Sequence, residues 1–187
     1  MDIFELDLLL EVEASVEETD CIEISFWREQ LSTWLTILHS KALLPYADKI
    51  QPASVLGLSL RFTDDITITQ LNQIWRQQDT STDVLSFPII NQGGIPLPAG
   101  EPVELGDIIV SIPTAIKQAT DQGHDLRQEL RWLVSHGLLH LLGWDHLDEA
   151  SLVNMLRCQE YLLARSSSTQ TCGITCGLIK DLSDDAS

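Results

Sequence analysis

The 187-residue chain is poor in basic residues, because 11 Lys and Arg stand against 28 Asp and Glu and give a formal net charge of −17. A protein that grips a nucleic-acid backbone by charge alone needs an excess of cations, so this balance argues against a nonspecific polyanion binder. The deficit is uneven. Residues 1–23 hold nine acids and no Lys or Arg, so the rest of the chain carries −8, the difference between −17 and −9.

Long apolar runs and secretion signals are also missing. No stretch approaches the roughly 18 apolar residues of a membrane span. The first residues contain no Lys or Arg, so a secretory signal is not expected and the expected location is the cytoplasm. The four cysteines do not form the two C-x2-C pairs of a zinc ribbon. Cys21 and Cys158 are expected to be free thiols in a reducing compartment. Cys172 and Cys176 form a C-x3-C, for which a second metal or a redox pair stays an alternative.

Three of the five histidines lie within eleven residues, in the pattern H-x3-H-x2-G-x2-H formed by His136, His140 and His146. Helix residues four apart share one face, so His136 and His140 can bind one ion together. His146 would lie about 9 Å further along a straight helix, so the chain must turn back after Gly143, a residue suited to positive φ. Three protein ligands leave one coordination position open, which predicts a catalytic zinc site.

The same spacing occurs in metzincin proteases, where a Glu after the first histidine serves as the general base. Here that position is Gly137, which has no carboxylate. The pattern keeps the metal site but loses the base for peptide hydrolysis, so a metalloprotease stays only as a rival interpretation.

These residues resemble the YbeY family of bacterial single-strand-specific endoribonucleases. The block from His136 to His146 agrees throughout with the family's pattern H-G-x-L-H-L-x-G-x-D-H. Three upstream segments agree in the same order: a helix ending in Arg at 71–76, T-D-V-L-S-F-P at 82–88 and a G-D-I strand at 105–111. The resemblance covers roughly residues 55 to 165.

The resemblance implies a metal-dependent hydrolase that cuts single-stranded RNA in 16S ribosomal RNA maturation and ribosome quality control. It implies one zinc ion on His136, His140 and His146, and it assigns the family's functional arginine to Arg76. It also implies partners among ribosomal or small-subunit proteins, or a GTPase, and no membrane. The acidic N-terminal segment and the tail with Cys172 and Cys176 lie outside the matching motifs, and their roles stay open.

Four further residues are candidates for the site. Arg76 would clamp a phosphate through its planar guanidinium, and a structural salt bridge is its alternative. Asp145 either holds an imidazole through its second nitrogen, caps the turn or acts as a base. Trp144 either stacks on an RNA base or packs in the core. Asp83 either contacts substrate or accepts structural hydrogen bonds.

Other polar residues carry weaker expectations. Glu129, two helical turns before His136, is expected in solvent, and His39 and His124 are expected at the surface or at helix ends. A local positive channel for RNA requires five basic residues to converge in the fold. They are Arg61, Arg76, Lys117, Arg127 and Arg131.

Hydrophobic periodicity predicts the element order β-α-β-α-β-β-α-α-α. The Gly- and Pro-rich residues 91–104 are expected to form a loop, either a mobile flap or a plain connection. The predicted fold is a single α/β (α+β) domain with a small mixed sheet, packed helices and a zincin-like metal-site helix, with parallel strands wherever a helix crosses over. We divide the chain into an acidic segment with the first strand and a linker (1–23), an endoribonuclease domain (24–165) and a flexible Ser/Thr/Cys-containing tail (166–187).

A non-catalytic interpretation also stays open, in which the chain is a ribosome-associated RNA-binding factor and its zinc is structural. A fourth protein ligand would close the coordination sphere and favour this interpretation. Cys158 is the cysteine close enough in sequence to supply it.

Overall fold

The computed structural model describes residues 4–13, 16, 20–50, 53–90 and 100–166. The predicted tail beyond residue 166 and most of the predicted loop at 91–104 lie outside these ranges. The strands within them are β1 (Glu5–Val12), β2 (Val55–Thr63), β3 (Val84–Pro88) and β4 (Val103–Ser111). The helices are α1 (Ile24–Ser40), α2 (Ala47–Ile50), α3 (Asp65–Arg76), α4 (Ile112–Gln122), α5 (Leu126–Leu141) and α6 (Glu149–Arg165), with a 3-10 turn at Asp20–Ile22.

The predicted element order is confirmed, with the short helix α2 and the 3-10 turn added. The helical spacing of apolar residues predicts a helix from Phe26 to Leu44, but α1 already ends at Ser40. Ala42 adopts a φ of 54°, and the N–H of Leu43 donates to Leu38 O at 2.9 Å. This left-handed turn ends the helix. The apolar residues after it still pack on the core, so the periodicity of the sequence alone predicts one continuous helix.

The strands form one mixed sheet in the order β1-β2-β4-β3. Strands β1 and β2 are parallel, with Leu8 opposite Leu58, and β2 and β4 are parallel, with Leu60 opposite Ile108. Helices cross over between these parallel partners, as predicted. Strand β3 precedes β4 directly in the chain and pairs with it antiparallel, which leaves β3 at an edge of the sheet.

The two faces of the sheet are covered differently, because successive side chains of a strand point to opposite faces. Helices α1 and α5 cover the core face, where the fully buried Trp27 packs 5.6 Å from the Phe62 ring and Trp34 is also fully buried. Helix α3 covers part of the opposite face, hereafter the α3 face, through a smaller cluster around Ile68 and Ile109.

No helix in the described ranges is both long and apolar enough to cross a membrane.

Candidate metal centre

Helix α5 carries the first two histidines and lies close against the sheet. Its N-terminus is capped, because the Asp125 carboxylate accepts from the backbone N–H of Gln128 at 2.7 Å. At Gly137, a Cβ atom would lie 2.9 Å from Ile108 Cγ2 and 3.0 Å from Ser86 Oγ. The position that holds the base in metzincins is therefore pressed against the strands here, and a carboxylate side chain would not fit without moving them.

The chain turns back immediately after α5, as the glycine predicted. Gly143 has a φ of 93° and donates its N–H to His140 O at 3.0 Å, while the N–H of Trp144 donates to Leu139 O at 3.0 Å. This pair of hydrogen bonds is a Schellman motif, which ends a helix and reverses the chain. A side chain at Gly143 would also collide with the ring of Tyr46. The turn brings His146 back towards the other two histidines.

The three imidazoles fit one metal ion. Nε2 of His136 and Nε2 of His140 are 3.1 Å apart, and one ligand nitrogen from each of the three histidines lies within 4.8 Å of the others. A zinc ion about 2.0–2.1 Å from each nitrogen of a tetrahedral site would hold its ligands about 3.3 Å apart. The donors are therefore close to coordination geometry, and a small movement of the exposed His146 would complete it.

Two hydrogen bonds orient the rings of the half-buried pair His136 and His140. Nδ1 of His136 lies 3.2 Å from Oε1 of the fully buried Gln159, whose Nε2 donates to Trp132 O at 2.8 Å. Nδ1 of His140 lies 3.0 Å from Trp144 O. Because these oxygens only accept, each Nδ1 carries the proton and each Nε2 presents its lone pair to the site.

The surroundings keep these two rings uncharged. Burial lowers the pKa of His140 to about 4, with a further contribution from the neighbouring His136 and His146. Burial also lowers the pKa of His136, against the opposing effect of its hydrogen bond to Gln159. Both imidazoles are therefore neutral at neutral pH, the form in which a histidine binds a metal ion.

Gln159 was not identified from the sequence. It occupies a buried position on α6 together with Met155, Cys158 and Leu162. The available signal was a polar residue inside an apolar helical stripe, which marks a buried hydrogen bond but does not name its partner.

The turn residues take their structural alternatives. Asp145 is exposed, and its Oδ1 accepts the backbone N–H of His146 at 2.8 Å, so it caps the turn. Trp144 is half-buried against the core, and its Nε1–H donates to Leu43 O at 3.1 Å. These contacts favour the core alternative for Trp144. That Asp145 holds an imidazole through its second nitrogen, or acts as a base, stays a prediction.

Asp83 and Arg76 lie on other elements. Asp83 accepts the backbone N–H of Val84 at 2.8 Å and the Gln118 amide at 3.0 Å, and its charge raises the pKa of His136. Asp83 thus acts structurally near the histidines, and substrate contact stays a prediction. Arg76 is the exposed last residue of α3, and it has no ion pair within the described ranges. The salt-bridge alternative for Arg76 is therefore not seen, and its clamping role stays a prediction.

The five basic residues that a positive channel for RNA would require do not all converge in the fold. Arg61, on the α3 face, pairs with Glu11 at 2.6 Å. Arg131 instead donates to Gln30 Oε1 at 3.0 Å and to Ser166 Oγ at 2.8 Å, which fastens α5 to α1 and to the end of α6. Because α5 packs on the core face, Arg61 and Arg131 lie on opposite sides of the sheet and cannot line one channel.

Two other expectations are also corrected or decided. Glu129 was expected in solvent but is only 2 % exposed, because it bonds to the ring of His124 at the junction of α4 and α5. Cys158 is buried in the core, and burial raises the pKa of its thiol to about 11. The group of described residues that could hold a metal ion comprises the three histidines without Cys158. The fourth ligand required for structural zinc is thus not present in that part of the chain.

Fold and site together define a single-domain α/β protein with a three-histidine centre that fits one metal ion and leaves a coordination position open. The sequence model described as endoribonuclease YbeY matches residues 16–167. The chain therefore belongs to the YbeY family.

Individual relatives are similar over most of the chain. Endoribonuclease YbeY of Synechococcus sp. (strain CC9605) is 50% identical over 163 residues, covering 85% of this chain and 98% of the relative. Endoribonuclease YbeY of Parasynechococcus marenigrum (strain WH8102) is 48% identical over 169 residues, covering 89% and 91%. The solution structure of a Thermotoga maritima protein aligns with a TM-score of 0.47 at 22% identity, covering 84% of this chain and 91% of that one.

Proposed function

We propose that this protein is a zinc-dependent endoribonuclease that cuts single-stranded RNA in 16S ribosomal RNA maturation and ribosome quality control. As a member of the YbeY family, the chain is an endoribonuclease and hence a hydrolase acting on RNA. The observation that carries the metal assignment is the convergence of His136, His140 and His146. Three neutral ligands leave the full charge of a divalent ion available to an anionic phosphodiester.

The first contribution of the protein to catalysis is to fix the orientation and protonation of the metal-ligand histidines. Gln159 and the Trp144 carbonyl fix the Nδ1 protons of His136 and His140, so no proton must leave these rings when the ion binds. A zinc ion held there would supply one of two effects: it would polarise a phosphoryl oxygen, or it would lower the pKa of bound water to about 7. The Schellman turn after α5 supplies the third ligand on the solvent side, which leaves the site accessible to a polymeric substrate.

Arg76 is proposed to bind the phosphate of the substrate. Its guanidinium is exposed and has no carboxylate partner in the described ranges, so its planar fork can form two hydrogen bonds to phosphate oxygens. The charge would stabilise the transition state, where negative charge grows on those oxygens. Asp145, an exposed carboxylate beside His146, is the proposed proton acceptor.

The net charge of the chain, as well as its membership of the YbeY family, supports a role for protein partners. A chain with a net charge of −17 repels free RNA at long range, so we propose delivery of substrate by a ribosomal or small-subunit protein, or by a GTPase, in the cytoplasm.

Cleavage of a single-stranded RNA by purified protein of known zinc content tests the proposal. We expect about one zinc per chain and cleavage by the wild type, loss of both in His140→Ala, and loss of cleavage with zinc retained in Arg76→Ala. Arg28→Ala is the matched control, because Arg28 is exposed on α1. Cleavage that survives in zinc-free His140→Ala would come from a contaminant or from another site. It would contradict the assignment of the three histidines as the active site and favour the binding-factor interpretation.

A further inference from the structure

A second concave site lies on the α3 face, separate from the three histidines. It is a pocket of about 350 Å³ between the C-terminal part of α3 and the sheet. Trp75 and Phe87 form aromatic walls, with ring centroids 5.8 Å apart and planes inclined at 62°. Pockets that bind small flat ligands have this combination of apolar walls and a few polar groups.

The polar groups of the pocket lie side by side on the sheet. Ser59 and Asp107 are partners in the parallel register of β2 and β4, so a hydroxyl and a carboxylate face the pocket together. Arg61 follows on the same face of β2 and is held by Glu11. Donors and acceptors next to aromatic walls suit a planar ring with a polar edge, which is the chemistry of a nucleobase.

Trp75 is exposed to an unusual degree for its size. Its relative exposure is 67%, whereas Trp27 and Trp34 are fully buried and Trp132 and Trp144 are half-buried. A large aromatic surface left in water at the rim of a pocket gains free energy when another flat ring covers it. Stacking of a base on an aromatic side chain accepts any base, as a single-strand-specific site requires.

Charge favours RNA over an apolar peptide as the occupant. Arg76 follows Trp75 directly, and its exposed guanidinium can bind the phosphate attached to a base held in the pocket. Strand β3 connects the two sites, because Ser86 faces Gly137 on α5 while Phe87, the next residue, faces the pocket. One RNA strand crossing the β3 edge could therefore occupy both.

We propose that the pocket beside Trp75 binds one nucleobase of the single-stranded RNA substrate, next to the phosphodiester that is cut. The inference rests on the proposed function and adds a substrate subsite to it. Base–aromatic stacking does not involve the reacting atoms of the phosphodiester, so it contributes to binding equally before and in the transition state, and its loss raises KM and leaves kcat unchanged.

Steady-state cleavage by the zinc-loaded protein tests the subsite. We expect Trp75→Ala to raise KM for a single-stranded RNA about tenfold with kcat and zinc content unchanged, and Trp75→Phe to restore most of the affinity. Ile74→Ala is the matched control, because Ile74 is 68% exposed on the same helix and does not line the pocket. Its KM should equal that of the wild type.

Tryptophan fluorescence provides a second readout that does not need cleavage. Titration with adenosine 5′-monophosphate should quench the wild type and Ile74→Ala, and the quenching should be absent in Trp75→Phe. If quenching is seen but the wild type never cuts RNA, the proposed function fails and the base site stands. If the wild type cuts and Trp75→Ala matches Ile74→Ala in KM, the base site fails and the function stands. Loss of zinc or kcat in Trp75→Ala, or an effect on a protein partner alone, would also overturn the base site.

Discussion

At the scale of single residues, the geometry of the candidate metal centre depends on a side chain that carries no charge. Gln159 is fully buried, accepts from Nδ1 of His136 and donates to Trp132 O, so both ends of its amide are engaged. Its orientation is therefore fixed, and it in turn fixes which nitrogen of His136 faces the candidate metal site. Partners of this kind affect metal affinity although they never touch the ion.

Replacing Gln159 should weaken zinc binding without unfolding the protein. We expect Gln159→Leu to lower zinc affinity about tenfold to a hundredfold, since the His136 ring loses its acceptor and the Trp132 carbonyl loses its donor. Gln159→Glu keeps an acceptor for Nδ1 and should retain more affinity. Competition with a chelator measures the change, and Gln128→Leu at an exposed position of α5 serves as control. Equal affinities for Gln159→Leu and the control would show that the amide does not position the ring.

At the scale of elements, the centre is assembled by the end of α5 rather than by its body. Two histidines one helical turn apart need only a helix, but the third requires the chain to reverse within five residues. The reversal uses the positive φ of Gly143 and the space that its missing side chain leaves for Tyr46. Helix termination is therefore part of the site.

A comparison of Gly143 with Gly123, which also ends a helix, distinguishes the role of the turn in the metal centre from the effect of backbone strain. Gly143→Ala and Gly123→Ala each force a side chain into positive φ, at 93° and 74° respectively, at a cost of about 1–2 kcal/mol in the free energy of unfolding. Only Gly143→Ala also collides with Tyr46, because a Cβ at Gly123 meets nothing within 4 Å. We expect both variants to lose stability and Gly143→Ala alone to lose zinc. Calorimetry and zinc analysis measure the two effects, and zinc retention by Gly143→Ala would refute the role of the turn.

At the scale of the whole molecule, one carboxylate links several elements. Asp65, in the first turn of α3, accepts from Ser111 at the end of β4, from Thr114 of α4 at 2.7 Å and from Ser81 at 3.0 Å. Burial raises the pKa of Asp65, but these three hydrogen bonds outweigh it and hold the pKa below 3.8. Asp65 therefore binds a proton less readily in the folded than in the unfolded chain.

The lowered pKa of Asp65 makes the free energy of unfolding depend on pH. A depressed pKa stabilises the fold above the unfolded value near 3.9, and this stabilisation is lost as the pH falls through the folded pKa. Asp65→Asn should lower the free energy of unfolding at pH 7 by about 1 kcal/mol, a figure kept small because the group is partly exposed to solvent. The difference from wild type should shrink below about pH 4. Urea unfolding at pH 7 and below about pH 4 measures this difference in free energy. Asp79→Asn, at an exposed position, serves as control. A pH-independent difference would contradict the charge-based explanation.

Features that depend on neighbouring residues were predictable from the sequence. His136, His140 and Gly143 act within one helix and its turn, so their spacing alone predicts a shared face and a reversal. Element order follows equally from local periodicity, and the parallel pairs follow from helices that cross over between strands. The end of α1 was missed because residues beyond the turn at Ala42 continue to pack on the core and mimic a longer helix.

Tertiary structure alone decided which distant residues meet. Gln159 forms a hydrogen bond with His136, which lies 23 positions away in the sequence. Arg131 of α5 donates a hydrogen bond to Gln30 of α1. Trp144, the residue first considered for base stacking, packs on the core, while Trp75 lies exposed over a pocket. Periodicity places a side chain on a face of its own element, but partners across the fold depend on how helices pack on the two sides of the sheet, and spacing along the chain does not encode that.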